Sequence, residues 1–263
     1  MSYQTILFEA SDGIARLTLN RPERLNSFNT TMHSEVRDAL AAVEGDAATR
    51  VLIITGAGRG FCAGQDLGDR VVAADGAPPD LGASIERYYT PLILTLRRLP
   101  LPVIAAVNGV AAGAGANIAL ACDLVIAARG AAFIQAFSKI GLIPDSGGTW
   151  ILPRLAGHAR AMGLALLGEK LAAQQAADWG LIWRCVDEDR LAAEVDALAR
   201  QLAAAPTRGL ARTKQAMLEG WSRTLEQQLD VERDYQRELG HSADYAEGVA
   251  AFMEKRVARF TGR

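Results

Sequence analysis

Three stretches of this sequence combine residue types and spacings that could do chemistry. Two are glycine-rich turns that each follow an apolar run: residues 51–55 lead into GAGRGFCAGQDL (56–67), and residues 103–107 lead into NGVAAGAGAN (108–117). Small residues let a backbone approach a partner closely at both turns. Neither is a nucleotide motif, because no Gly-Lys-Ser or Gly-Lys-Thr follows and both GAGRGF and GAGANI lack the third glycine of GxGxxG. Two uses remain open. The turns could converge two N–H groups on one oxygen as an oxyanion hole, or they could simply allow strand and helix to pack closely. If a helix opens at residue 114, its dipole adds partial positive charge at the same point.

The third stretch is LIPDSGGTW (142–150), with Asp145 between Pro144 and a Gly-Gly pair. One reading makes Asp145 the N-cap of the following helix. The other is acid–base catalysis, in which apolar Leu142, Ile143 and Trp150 desolvate the carboxyl group and raise its pKa. Ser146 does not suit a nucleophile, since GxSxG is absent and no histidine lies nearby in sequence. His33, His158 and His241 sit in helical, charged surroundings without a partner pattern and read as surface or structural residues. Cys62, Cys122 and Cys185 are sparse and odd in number, which suits reduced thiols in a cytoplasm. No ligand spacing links cysteines and histidines, so no metal site is expected. Trp150, Trp179, Trp183 and Trp221 fall in amphipathic stretches and read as core.

Elements that alternate strand and helix must position these stretches. Strands are expected at 5–8, 14–19, 51–55, 103–107 and 124–127, and helices at 32–43, 85–97 and 114–121. Interleaving of this kind implies a mostly parallel sheet in an α/β fold. After Gly147 almost everything has helical period: Leu191, Val195, Leu198 and Leu202 form one stripe, Thr224 and Gln227 a capping box, and Ser242 caps a last helix through Lys255. The boundary between the α/β part and the helical part falls near 190–205, where AAAPTRG supplies Pro206 and Gly209. Residues 68–84, rich in glycine and proline, read as a loop or lid. In 230–238, Asp230 with Arg233 and Asp234 with Arg237 form a solvated helix face.

Composition excludes several classes. With 28 basic against 30 acidic residues in 263, the net charge of −2 gives no case for nucleic acid. The start lacks the basic and apolar segments of a leader peptide. The 24 uncharged positions from Leu99 to Cys122 could suggest a membrane span, but Pro100, Pro102, Asn108, Gly109, Gly113, Gly115 and Asn117 break them up, so they read as core.

Through LNRPERLNSFN (19–29), GRGFCAGQDL (58–67), AAVNGVAAGAGANIALACD (105–123) and IPDSGGTW (143–150), the chain resembles the crotonase, or enoyl-CoA hydratase/isomerase, superfamily. The resemblance implies a ββα superhelix over residues 1–200, holding CoA and the active site, and a helical trimerisation region over 201–263. It implies that a thioester carbonyl sits between the N–H groups of Gln65 and Ala114. Ala114 replaces a usual glycine, which leaves the donor intact unless its φ is positive. CoA is implied to lie near Arg24, Leu25, Ala63, Asp66 and Leu67. Phe252 and Lys255 match residues that reach CoA from a neighbouring subunit, so a homotrimer or dimer of trimers is implied. CoA belongs to the substrate, and no separate cofactor is called for.

Hydratases of the superfamily hold a water between two glutamates, and those positions are Asn117 and Phe137 here. Asp145 matches the carboxylate that isomerase-type members place across the substrate. The resemblance therefore implies isomerisation of an acyl-CoA thioester through an enolate, with Asp145 carrying the proton and Asn117 positioning Asp145 or the substrate. The 68–84 loop and Tyr88, Tyr89 and Leu92 are expected to enclose a ring-bearing acyl group in a dry pocket. Isomerisation of a linear 3-enoyl thioester, hydration, and non-catalytic acyl-CoA binding stand as alternatives.

Overall fold

The computed structural model describes residues 3–70 and 80–262. In chain order the elements are β1 (Ile6–Ser11), β2 (Ile14–Leu19), α1 (Thr30–Gly45), β3 (Val51–Gly56), β4 (Gly60–Cys62), α2 (Leu81–Ser84), α3 (Thr90–Arg98), β5 (Val103–Val107), β6 (Val110–Ala112), α4 (Ala114–Ala121), β7 (Leu124–Ala128) and β8 (Ala132–Ile134). They continue with α5 (Gly148–Ala156), α6 (His158–Leu167), β9 (Lys170–Ala172), α7 (Ala173–Asp178), β10 (Arg184–Val186), α8 (Leu191–Ala203), α9 (Thr207–Glu219), α10 (Leu225–Gly240) and α11 (Ala243–Glu254).

The strands form two sheets, one of order β1-β2-β3-β5-β7-β10 and one of order β4-β6-β8-β9. Successive pairs, β3 then β4, β5 then β6, β7 then β8, place one strand in each sheet before the chain turns into helix. That repeated strand–strand–helix path is a ββα superhelix. β3, β5 and β7 pair in parallel and are almost wholly buried, as expected of strands covered on both faces. The stretch from Leu99 to Cys122 accordingly folds as β5, β6 and α4. Among the described residues no helix is long and apolar enough to cross a membrane.

The chain after Gly147 is almost all helix, as expected, with two three-residue strands: β9 pairs antiparallel with β8, and β10 extends the larger sheet beside β7. Two expectations are corrected. The helix expected over 85–97 is interrupted by a π turn at Ile85–Tyr89 before α3. Trp150, Trp183 and Trp221 are 40 %, 47 % and 43 % exposed rather than core, and arginines stack on their rings: Arg97 and Arg154 lie over Trp150 and Trp221, and Arg184 over Trp183. Of the expected 68–84 loop, residues 67–70 form a 3-10 turn and 81–84 form α2, while residues 71–79 lie outside the described residues.

The helical part follows its sequence signals. α8 buries Leu191, Val195, Ala199 and Ala203 and lies against β2, β3, β5 and β7. The chain then turns away at Pro206 into α9. The Thr224 capping box, the Ser242 cap and the Asp230–Arg233 and Asp234–Arg237 pairs all form. Lys214 fastens α9 to the sheet by bonding Asp123 and the carbonyls of Leu96 and Leu101.

Candidate active site

The two glycine-rich turns meet face to face. β3 delivers the chain into the first turn and β5 and β6 into the second, and Gly64 stands opposite the first turn of α4. Its φ is +90°, and a Cβ added there would lie 2.9 Å from the Ala112 carbonyl oxygen and 3.3 Å from the Ala114 nitrogen. Only glycine meets both demands. Gln65 follows directly. Its strand-like bridge to Phe28 uses the N–H of Phe28 towards Gly64 O and the N–H of Asp66 towards Phe28 O. In extended backbone the N–H of the residue between turns to the opposite side, so Gln65 aims its donor away from Phe28.

α4 begins at Ala114, as expected, and its first intrahelical bond runs from Asn117 N–H to Gly113 O. The N–H of Ala114 therefore has no acceptor within its own helix. Gly113, not Ala114, takes the positive φ, at 54°, so the alanine keeps an ordinary helical backbone. The Gly64 turn and the start of α4 thus lie side by side.

One turn further along α4 sits Asn117, fully buried. Its amide is committed at both ends: Nδ2 donates to the Asp145 carbonyl at 2.8 Å, and Oδ1 accepts from Gln135 Nε2 at 2.8 Å. Asn117, expected to position Asp145 or the substrate, thus bonds the main chain of Asp145. Gly148 makes room for this contact, since a Cβ there would come within 2.4 Å of Asn117 Nδ2. Ser146 adopts a positive φ of 51° and donates from its hydroxyl to Asp145 Oδ1 at 2.9 Å. Strain of that kind persists only where its surroundings over-determine it.

The N-cap position of α5 falls at Gly147, two residues after Asp145. The enclosure expected from neighbouring apolar groups is absent within one chain, because Ile143 is 77 % exposed and leaves Asp145 half-buried. Phe137 is buried and faces Gly113.

Tyr89, expected to line a substrate pocket, is instead fully buried and donates from its hydroxyl to Gln65 Oε1 at 2.8 Å. Tyr88 stacks on buried His33, whose ring also meets Tyr89 edge-on. Sequence reasoning missed Gln135 as well, which is 2 % exposed and holds Asn117. A lone glutamine between a short strand and a 3-10 turn carries no pattern that could have marked it.

The residues expected near CoA lie along one edge of the first turn. Ala63 N–H donates to Leu25 O, and buried Asn26 ties the same loop to the carbonyls of Ala57 and Gly60. Asp66 Oδ2 accepts from Arg21 at 2.9 Å, and Oδ1 accepts from the Gly68 N–H. Burial opposes ionisation of Asp66, but these bonds and the charges of Arg21 and Arg24 hold its carboxyl below the ordinary value. Arg24 and Leu67 are exposed. Phe252 is 82 % exposed at the end of α11, which packs on α10, and Lys255 is the exposed residue that ends that helix. Buried Cys62, beside the turn, has its thiol pushed up to about 12 by desolvation, so it stays protonated at neutral pH. Among the described residues no cluster of His, Cys, Asp and Glu could hold a metal ion.

Comparison with known proteins extends these observations. The family model described as enoyl-CoA hydratase/isomerase matches residues 9–263. The 1,2-epoxyphenylacetyl-CoA isomerase of Escherichia coli is 60 % identical over 258 residues, 98 % of each chain. A probable enoyl-CoA hydratase of Rhodobacter capsulatus is 51 % identical over the full length of both chains. Among solved structures, an enoyl-CoA hydratase/isomerase from Mycobacterium abscessus superposes with a TM-score of 0.94 at 36 % identity, covering 98 % of this chain and 100 % of that one.

Proposed function

The chain belongs to the enoyl-CoA hydratase/isomerase family, and from that premise we propose that it isomerises ring-1,2-epoxyphenylacetyl-CoA to 2-oxepin-2(3H)-ylideneacetyl-CoA. The observation that carries this reading is Asn117. Where hydratases place a water-activating carboxylate, this chain has an amide whose two ends are both occupied by Asp145 and Gln135. Phe137 removes the second carboxylate. One acidic group, Asp145, is then left for a reaction that moves a proton without adding water.

In the proposed mechanism, the thioester oxygen accepts from the N–H groups of Gln65 and Ala114. Asp145 takes a proton from the carbon next to the thioester, and the electron pair moves onto that oxygen as an enolate. The ring epoxide reacts as its oxepin isomer, and Asp145 returns the proton to a ring carbon, so atoms and charge balance with no water consumed. Each main-chain donor contributes roughly 3 kcal/mol to the enolate. Arg24, Leu25, Ala63, Asp66 and Leu67 hold the CoA portion, which is part of the substrate. Phe252 and Lys255 complete that site from a neighbouring subunit in a homotrimer or dimer of trimers. The exposed apolar end of the chain, with Phe252, Met253 and Val257 at 82 %, 75 % and 87 %, supports such an interface.

The test is mass-spectrometric proton exchange in deuterated water with phenylacetyl-CoA and a 3-enoyl-CoA, using wild type and Asp145→Asn. Deuterium incorporation by the wild type on both thioesters, lost in the variant, is expected. Binding of both thioesters without exchange in either protein would replace catalysis with an acyl-CoA binding role, and hydration of crotonyl-CoA would restore the hydratase reading.

A further inference from the structure

α9 does not close fully on the end of the sheet. Between α9, α3 and α5 lies a cleft of about 1000 Å³, walled by Ile93, Leu99, Trp150 and Ile151. That is the size of small-molecule sites, which pair apolar walls with a few convergent polar groups. The polar group here is Arg97. Its guanidinium lies 5.2 Å from the Trp150 ring centre and 5.7 Å from that of Trp221, which holds its plane. Its Nη2 is buried with no hydrogen-bond partner among the described residues, a costly state for a charged donor.

The charges around Arg97 do not balance. Asp123 is the carboxylate that acts on it, and Asp123 already binds Lys214 at 2.8 Å. Two cations therefore share one anion. The other cations on the cleft are used elsewhere or solvated: Arg208 and Arg212 bind Glu238, and Arg98 is exposed. Its acids are also placed: Glu219 bonds Arg223 and Gln215, Asp46 bonds Thr49, and Glu44 is exposed at the end of α1.

We infer that this cleft is a second ligand site, separate from the thioester site, for an aromatic carboxylate: its anion pairs with the guanidinium of Arg97, which lines the cleft and has no carboxylate of its own, and its ring rests on the apolar wall beside Trp150. Gly147 forms part of that wall, two residues from Asp145.

Benzoate is the probe, titrated against the full chain by calorimetry and by tryptophan fluorescence, since Trp150 lines the site and Trp221 lies against its ring. Saturable binding of one benzoate per chain below about 10 mM is expected. Benzamide, which lacks the charge, and Arg97→Gln should each weaken binding about tenfold or more. Ala211→Trp, which fills the cleft from α9, should abolish it, and Arg154→Gln, at a residue that stacks on Trp150 but does not line the cleft, should leave it unchanged. No saturation, equal binding of benzamide, or equal binding by Arg97→Gln would overturn the inference. So would strict competition between benzoate and the acyl thioester, because the cleft would then be an arm of the site already described.

Discussion

Around Gln65 and Ala114 the proposed site is made of main chain, whereas around Asp145 it is made of side chains. The first half depends on where strands end and on a glycine that lets two turns touch. The second depends on a relay from Gln135 through Asn117 to the backbone of Asp145, with Ser146 on the carboxylate. Main-chain donors tolerate a change of side chain but not a change of backbone path. A side-chain relay behaves in the opposite way, since one truncation leaves a buried polar partner unsatisfied.

Substitutions can break or sharpen that contrast. Asp145→Asn should reduce isomerisation by about 10²- to 10⁴-fold, the span of general acid–base catalysis, with thioester affinity retained; steady-state kinetics and direct binding measure the two parts. Gly64→Ala should come next, with kcat lowered by about 10²-fold, because its Cβ must push the Ala112 carbonyl or the Ala114 donor away. Loss of KM alone, with kcat intact, would show that the turn serves binding and not the enolate.

Asn117→Ala removes the relay. It should lower kcat about tenfold and cost about 1–3 kcal/mol in urea unfolding, because Gln135 loses its buried acceptor. Gln135→Met should give a smaller loss in the same direction.

Asp66 is the side-chain exception on the main-chain side. Its carboxyl is held below the ordinary value in the fold, so its stabilising contribution is present above the unfolded pKa of about 4 and is lost as pH falls through the lower folded value. The stability gap between wild type and Asp66→Asn should be about 1 kcal/mol at neutral pH and should shrink on acidification below pH 4, followed by thermal unfolding. The smallest effect belongs to Ala114→Gly. It keeps the N–H and should change kcat by less than about threefold; a large loss would mean that the alanine methyl itself positions the substrate.

Much of the fold is legible in the residues. β2, β5 and α4 fall on 14–19, 103–107 and 114–121, because β2 alternates inward and outward residues, β5 is an apolar run closed by Asn108, and α4 starts just after a glycine-rich turn. The smaller sheet is not legible: β4, β6, β8 and β9 have three residues each, too few for alternation to register. Exposed tryptophans were also beyond local pattern, since an amphipathic stripe does not show that an arginine, and not a core, covers the ring.

For the site, residue type and spacing marked two small-residue turns after strands and one carboxyl ahead of a glycine pair, and the family resemblance implied that Asn117 and Phe137 stand in place of two carboxylates. What holds these parts comes from packing. Tyr89 reaches Gln65 across 24 positions, and Gln135 reaches Asn117 across 18. Such bonds are specified by the packing of distant elements, and local propensity and periodicity extend over only a few residues.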